Sequence, residues 1–228
     1  MYKQAQIALG LCLLCLSLQT IAGEDPGLVA VEQAKQNGKF LIAFFADAKT
    51  DVAKTNALKV SVEKAAAALS DQTDAVYIDM GEEAQQGLVK QFRLRYAPRP
   101  ITLILAPNGA IVGSFQVPFT PEQLKQGLPS PCLLQCLQAL QQGKLVMICV
   151  QNKESLGNVE AMKSANDFLS DPRFKDYTAK VVIDPDAAAE ANVLKQLQIV
   201  EGTKQATSLL LAPPGTVVGK WEGAVSKE

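Results

Sequence analysis

The stretch GKFLIAFFADA (residues 38–48) decides the fold. It contains a continuous apolar run that begins after a glycine typical of helix ends and stops at the polar residue Asp47. A short apolar run of this kind is typical of a β-strand that is buried on both faces. The start of the stretch, GKFLI (residues 38–42), returns 105 residues later as GKLVM (residues 143–147). The repetition indicates that the chain contains two copies of one α/β unit.

Four further blocks recur in the same order at an offset of 105 or 106 residues: 76–79 with 181–184, 89–92 with 194–197, 101–107 with 207–213, and 112–115 with 218–221. The alternative is that two unrelated α/β segments share generic strand patterns. The proline-bearing stretch LPSP (residues 128–131) predicts a linker between the copies. We therefore expect one domain over residues 24–128 and a second over residues 129–228.

Hydrophobic periodicity and turn residues predict the elements of the first copy: helix 28–36, strand 40–45, helix 52–69, strand 75–78, helix 82–92, strand 101–105, strand 110–115 and helix 120–128. This order fits an α/β three-layer sandwich with a mixed sheet. The second copy reaches residue 228 where the matching last helix would start. We expect the second domain to lack that helix within this sequence, either because the sequence is truncated or because something else covers the sheet.

Composition excludes several classes of function. Lys plus Arg is 22, Asp plus Glu is 23, and the net charge of −1 gives no basic footprint for nucleic acid. The chain has no histidine, which excludes Ser-His and Cys-His nucleophile pairs and most zinc sites. No glycine-rich phosphate loop is present. We expect no cofactor and no metal.

Residues 1–22 have the pattern of a secretory signal peptide. Lys3 precedes an apolar run over residues 7–18, and Thr20 and Ala22 supply small residues before a cleavage site. Cys12 and Cys15 would be removed with it. The pattern predicts an exported protein, periplasmic or secreted, with no membrane span after cleavage, and a retained anchor is the alternative.

The element order, the strand ending in FFADA (residues 44–48) and the position of Pro100 resemble the thioredoxin-like superfamily. The resemblance covers nearly all of residues 24–228, as two tandem thioredoxin-like domains. It implies the thioredoxin fold, with Pro100 where that family carries a cis-proline beside its active site.

The sequence departs from this family where the redox chemistry would lie. KTDV (residues 49–52) stands in place of the family's CxxC motif, and ESLG (residues 154–157) does so in the second copy. Ala206 replaces the proline there, while Ala43 and Ile148 replace the family's buried acid. Dithiol exchange is therefore chemically unavailable at both expected positions.

Three cysteines follow the signal segment. Cys149 lies within an apolar strand and is expected to be a small core residue. Cys132 and Cys136 are spaced i, i+4 and share one face of the first helix of the second copy. They could belong to the packed face of that helix, form a redox pair at the helix N-terminus, or bind a soft metal such as Cu(I).

The resemblance places a peptide-binding groove beside Pro100, lined by Lys49, Thr50 and Arg99. Arg93 and Arg95 add positive charge nearby, although ordinary solvated surface charge is the alternative interpretation. The function predicted is an exported, redox-inactive binding protein of chaperone or adaptor type that holds a protein or peptide partner. The alternatives are a divergent thiol-disulfide oxidoreductase using Cys132 and Cys136, and a structural spacer.

Overall fold

The computed structural model describes residues 24–200 and 203–223. Two four-stranded sheets succeed each other along the chain, each flanked by helices. The first contains α1 (Pro26–Asn37), β1 (Phe40–Ala46), α2 (Val52–Ala68), β2 (Thr73–Asp79), α3 (Gln86–Gln91), β3 (Ile101–Leu105), β4 (Ile111–Phe115) and α4 (Pro121–Gly127). The second contains α5 (Pro131–Gln141), β5 (Leu145–Val150), α6 (Asn158–Ser170), β6 (Thr178–Ile183), α7 (Ala191–Gln196), β7 (Thr207–Ala212) and β8 (Thr216–Glu222).

Both sheets have the same strand order, β2-β1-β3-β4 in the first and β6-β5-β7-β8 in the second. In each, the first strand pairs in parallel with the second and antiparallel with the third, and the last two strands form an antiparallel pair. The first strand of each module is therefore central. The prediction of a mixed sheet in two repeated α/β modules is confirmed.

Alternate residues of the central strand enter different cores, which makes each module three-layered. Ala43 and Phe45 contact a cluster completed by α1 and α3, whereas Ile42 and Phe44 contact a cluster completed by α2 and α4. Because all four side chains are at most 4% exposed, β1 is buried on both faces. This is the burial that its uninterrupted apolar sequence predicts.

The helix predicted over residues 82–92 is wrong in its first half. A 3₁₀ turn occupies Glu83–Gln85, and α3 begins only at Gln86. The N–H of Gly87 donates to the Asp25 carboxylate, and the same carboxylate accepts from the N–H groups of Gly27 and Leu28 at the start of α1. One aspartate therefore caps two helices, and this contact between distant residues sets where α3 starts.

The modules are joined by side-chain amides of α5 that bind the end of sheet one. Gln141 accepts from the N–H of Ile111 (2.9 Å) and donates to the carbonyl of the same residue (2.7 Å). Gln138 donates to the carbonyl of Asn108, whose own side chain donates to Leu134. Since β4 is an edge strand, these bonds satisfy backbone groups that its own sheet leaves open.

The signal peptide predicted over residues 1–22 and the last residues, 224–228, lie outside the described part of the chain. The described residues end in β8, so the expected absence of a last helix in the second module stays a prediction. Across residues 24–200 and 203–223, none of the helices combines the length and the apolar character needed to cross a bilayer.

Candidate functional site

A hydrogen-bonded turn replaces the redox motif at the carboxyl end of β1. The Asp47 carboxylate accepts from the N–H of Lys49 and from the hydroxyl of Thr50, both at 3.0 Å. The Thr50 hydroxyl in turn accepts from the N–H of Asp47. Asp51 then caps α2 by accepting from the N–H of Lys54. The turn is thus held by the side chains of Asp47 and Thr50, and it contains no thiol.

The second module builds the same turn 105 residues later with an amide in place of the acid. The side-chain oxygen of Asn152 accepts from the N–H of Glu154 and from the hydroxyl of Ser155, and the Ser155 hydroxyl accepts from the N–H of Asn152. Thr50 and Ser155 are both buried, at 9% and 8% exposure. The two turns therefore differ mainly in charge.

In the first module, the charge of Asp47 binds Arg99. The Arg99 guanidinium forms an ion pair with the Asp47 carboxylate, whose side chain is 8% exposed, and also donates to the carbonyl of Arg95 at 2.9 Å. Burial opposes ionisation of Asp47, but the hydrogen bonds from Thr50 and Lys49 and the guanidinium of Arg99 outweigh it and hold the pKa of Asp47 below its ordinary 3.8. The ion pair joins the turn to the loop before β3.

Pro100 follows Arg99 through a cis peptide bond, as the resemblance implies for this position, and its side chain is buried. Within the described residues, neither backbone group of Arg99 has a hydrogen-bond partner. Lys49 and Arg99 are exposed and Thr50 is buried, and all three contact Asp47. Asp47 thus links Lys49 and Thr50 to the residue that precedes Pro100, and the groove predicted there stays a prediction.

In the second module, the chain before β7 pairs with the turn that follows β5. The N–H of Leu156 donates to the carbonyl of Lys204 (2.6 Å), and the N–H of Ala206 donates to the carbonyl of Leu156 (3.0 Å). This is a parallel β-bridge between Leu156 and Gln205. Pro100, the counterpart of Ala206, has no N–H and cannot make the second bond. The bridge uses backbone groups of Lys204 and Ala206. Among the described residues, the N–H of Gln205, the counterpart of Arg99, has no partner, and its carbonyl accepts from the Thr207 hydroxyl at 3.3 Å.

The cysteine pair lies elsewhere, at the start of α5. Cys136 is 2% exposed and belongs to the core of the second module, while Cys132 is partly exposed at its edge. Burial, followed by the hydrogen bond to Glu190 and the charge of Glu190, raises the pKa of Cys132 to about 11. Burial is also the main cause that raises the pKa of Cys136 to about 12, and the charges of Cys132 and Glu190 add to it. Both are free thiols. Cys149 is likewise buried, at 1% exposure.

Sequence reasoning missed Glu190. It is only 4% exposed, and its carboxylate accepts from the Ser130 hydroxyl and from the N–H of Cys132. Ser130 also caps α5 by accepting from the N–H of Leu133. Nothing local to Glu190 signals this role, since its partners lie about 60 residues away. The sequence offered one signal. Ser130 aligns with Asp25, and both residues cap the first helix of their module.

Comparison with known proteins gives structural likeness only. No family model matches the sequence, and no curated protein matches it. The first two thioredoxin domains of Saccharomyces cerevisiae Eps1p are similar over 90% of this chain and 91% of theirs, at 12% identity and a TM-score of 0.32. The same domains of Naumovozyma dairenensis Eps1p are similar over 92% and 93%, at 12% identity and a TM-score of 0.34.

Human ERp44 is similar over 86% of this chain and 51% of its own, at 9% identity and a TM-score of 0.39. The chain thus spans about half the length of ERp44. The strand order, the repeated register and the cis peptide bond before Pro100 carry the assignment of fold. The molecule is built of two tandem thioredoxin-like α/β domains. Among the described residues, no three Cys, Asp or Glu side chains are grouped so that they could hold a metal ion.

Proposed function

We propose that this chain is a redox-inactive thioredoxin-like protein that binds an extended segment of a protein partner in the groove of its first module. The observation that carries the proposal is the unpaired backbone of Arg99 beside Pro100. Main-chain hydrogen bonds to such an edge give affinity for extended chains of varied sequence. The proposed setting is outside the cytoplasm, in the periplasm or secreted, as the N-terminal pattern predicts.

Two features support binding rather than thiol exchange. The turn that stands in place of CxxC is held by Asp47, Thr50 and Lys49, which supply no thiolate. The raised pKa values of Cys132 and Cys136 leave almost no thiolate at neutral pH, which counts against the alternative of an oxidoreductase.

The test uses two unfolded proteins whose thiols are blocked, so that disulfide exchange cannot contribute. Fluorescein-labelled reduced carboxymethylated α-lactalbumin is acidic, and reduced carbamidomethylated lysozyme is basic. We expect the full chain to bind at least one of them, measured by fluorescence anisotropy. Failure to bind either would overturn the proposal.

A matched pair of variants locates the site. Lys49→Trp places a bulky side chain at the mouth of the proposed groove. Glu154→Trp places it at the matching position of the second module, beside the bridge between Leu156 and Gln205. We expect Lys49→Trp to weaken binding about tenfold or more and Glu154→Trp to leave it unchanged. Cys132→Ser with Cys136→Ser should also leave binding unchanged. Equal effects of the two tryptophans, or loss of binding without the thiols, would contradict the assignment.

A further inference from the structure

Each module carries a cleft between its third helix and the loop that follows it. The first, of about 670 Å³, is bounded by residues of the range 80–99, and the second, of about 820 Å³, by residues of the range 185–200. Eight lining positions of the first recur in the second at an offset of 105 residues. The backbone is repeated as well, because Arg93 and its counterpart Gln198 share a left-handed conformation with φ of 55° and 54°.

The chemistry of the two clefts is different. Four cations line the first: Lys90, Arg93, Arg95 and Arg99. The second keeps only the first of these charges, as Lys195, with Gln198 and Val200 at the next two positions. The two clefts therefore share a shape but differ in charge, and the first one gathers four cations in a chain whose net charge is −1.

Among the described residues, three of the four cations of the first cleft have no acidic partner. Arg99 is paired with Asp47, but across residues 24–200 and 203–223 no carboxylate lies within 4.0 Å of the side-chain nitrogens of Lys90, Arg93 or Arg95. Glu83 is the one acidic residue among the lining residues of this cleft. Gathering like charges without counter-charges costs free energy, and an anionic ligand would remove that cost.

Buried apolar side chains lie among these charges. Val89 and Met80 are 4% and 8% exposed and form an apolar floor, with the charged groups above it. The carbonyl of Arg95 accepts from the Arg99 guanidinium at 2.9 Å. Arg99 therefore belongs both to this cleft and to the groove beside Pro100, and the two surfaces are continuous.

We propose that the first cleft binds an acidic segment of the polypeptide held beside Pro100, and so selects partners rich in Asp and Glu. This inference rests on the proposed function. The cations are spread along residues 90–99, on α3, its end, the 3₁₀ turn at Leu94–Tyr96 and the loop after it, which suits several carboxylates along a chain. The second cleft, with one cation, would not share the preference.

The test uses three fluorescein-labelled peptides of 12 residues that differ only at four positions, occupied by Glu, Gln or Lys. Anisotropy titrations of the full chain are made in about 50 and 300 mM NaCl, because salt screens exposed charge pairs. At low salt we expect the Glu peptide to bind about tenfold more tightly than the Gln peptide, and the Lys peptide to bind most weakly. The preference for Glu over Gln should shrink at the higher salt concentration.

Variants that copy the second module identify the cleft. Arg93→Gln with Arg95→Val introduces the residues found at positions 198 and 200, and should remove most of the preference for the Glu peptide. Lys153→Gln with Lys175→Gln removes the same charge from exposed positions of the second module and should leave the preference intact. The reverse change, Gln198→Arg with Val200→Arg, should strengthen binding of the Glu peptide.

Three results would overturn the inference. Equal binding of the Glu and Gln peptides would reject it and leave the proposed function standing. Binding of no peptide, together with failure of both unfolded proteins, would reject both. Tighter binding of a single-stranded 12-nucleotide DNA than of the Glu peptide, abolished by Arg93→Gln with Arg95→Val, would assign the cleft to nucleic acid instead.

Discussion

The carboxylate of Asp47 and the guanidinium of Arg99 form an ion pair across 52 residues of sequence, linking the turn after β1 to the loop that carries Pro100. The carboxylate side chain is 8% exposed and the arginine side chain 31%. One contact therefore joins the turn at residues 47–50 to the loop before β3, the two segments between which the groove is proposed. The second module has Asn152 at the aspartate position, and its amide donates instead to Asp184 and Asp186.

Asp47→Asn should remove the ion pair while keeping the turn, because an asparagine oxygen can still accept from Thr50 and Lys49, as Asn152 does in the second module. We expect a loss of about 1 kcal/mol in the unfolding free energy of the first module at pH 7. Guanidinium denaturation of Asp47→Asn, Arg99→Gln and the double variant would measure it. Additive losses in the double variant would mean that the two side chains do not interact.

The same pair predicts a pH dependence. The folded pKa of Asp47 lies below its ordinary 3.8, so its stabilisation is fully present above pH 3.8 and is lost as the pH falls through the lower folded value. The stability difference between the wild type and Asp47→Asn should be constant from about pH 7 to 5 and should shrink below 3.8. Asp51→Asn, in the adjacent helix cap, is the control, since the pair with Arg99 is intact in it. A difference that grows on acidification would contradict the assignment.

Cys132 should react slowly with iodoacetamide. With a pKa of about 11 its thiolate fraction at pH 8 is about one in a thousand, against about one in ten for a thiol at the ordinary 9.0, so the rate should fall about 100-fold. Cys136 and Cys149, at 2% and 1% exposure, should be alkylated only after unfolding. Mass spectrometry with and without denaturant would count the modified thiols. A Cys132–Cys136 disulfide that titrates reversibly in glutathione buffers would instead support an oxidoreductase.

Glu190→Gln should make Cys132 more reactive. Burial is the first cause of the raised pKa of Cys132, but the hydrogen bond and the charge of Glu190 add to it, and the substitution removes the charge while keeping the shape. The pH profile of alkylation should move to lower pH, with a rate several-fold higher at pH 8. Glu160→Gln, on an exposed position of α6, should change nothing. An unchanged profile in Glu190→Gln would mean that burial alone sets the pKa.

Local signals predicted most of the fold. The apolar run of β1, the stop at Gly38 and the Thr120-Pro121 start of α4 depend on neighbouring residues, and the structure places each of them as predicted. The sequence repeat predicted the elements of the second module, because it showed which of its strands correspond to those of the first. The predicted start of the third helix was wrong because it depends on a distant residue. The N–H of Gly87, in the first turn of α3, donates to Asp25, which is 62 residues away.

For the candidate site, the sequence supplies candidate residues but not the contacts between them. Alignment with the family gave Lys49, Thr50, Arg99 and Pro100, since each position follows from a motif. The ion pair of Asp47 with Arg99 and the bridge between Leu156 and Gln205 depend on which side chains and backbone groups meet in space. Spacing along the chain carries no information about either.

The joint between the modules gives a last prediction, because one side chain binds both backbone groups of Ile111. Gln141 occupies the edge of β4 as another strand would, so Gln141→Ala should expose the Ile111 N–H to water. A net hydrogen bond is worth about 1 kcal/mol, so we expect hydrogen exchange at Ile111 to speed up about fivefold to tenfold, measured by NMR. Gln142→Ala, at an exposed neighbouring position, should leave the rate unchanged. If exchange at Ile111 were equally slow in both variants, the amide would be protected by the sheet alone, and the two modules would be joined only through Asn108 and the linker.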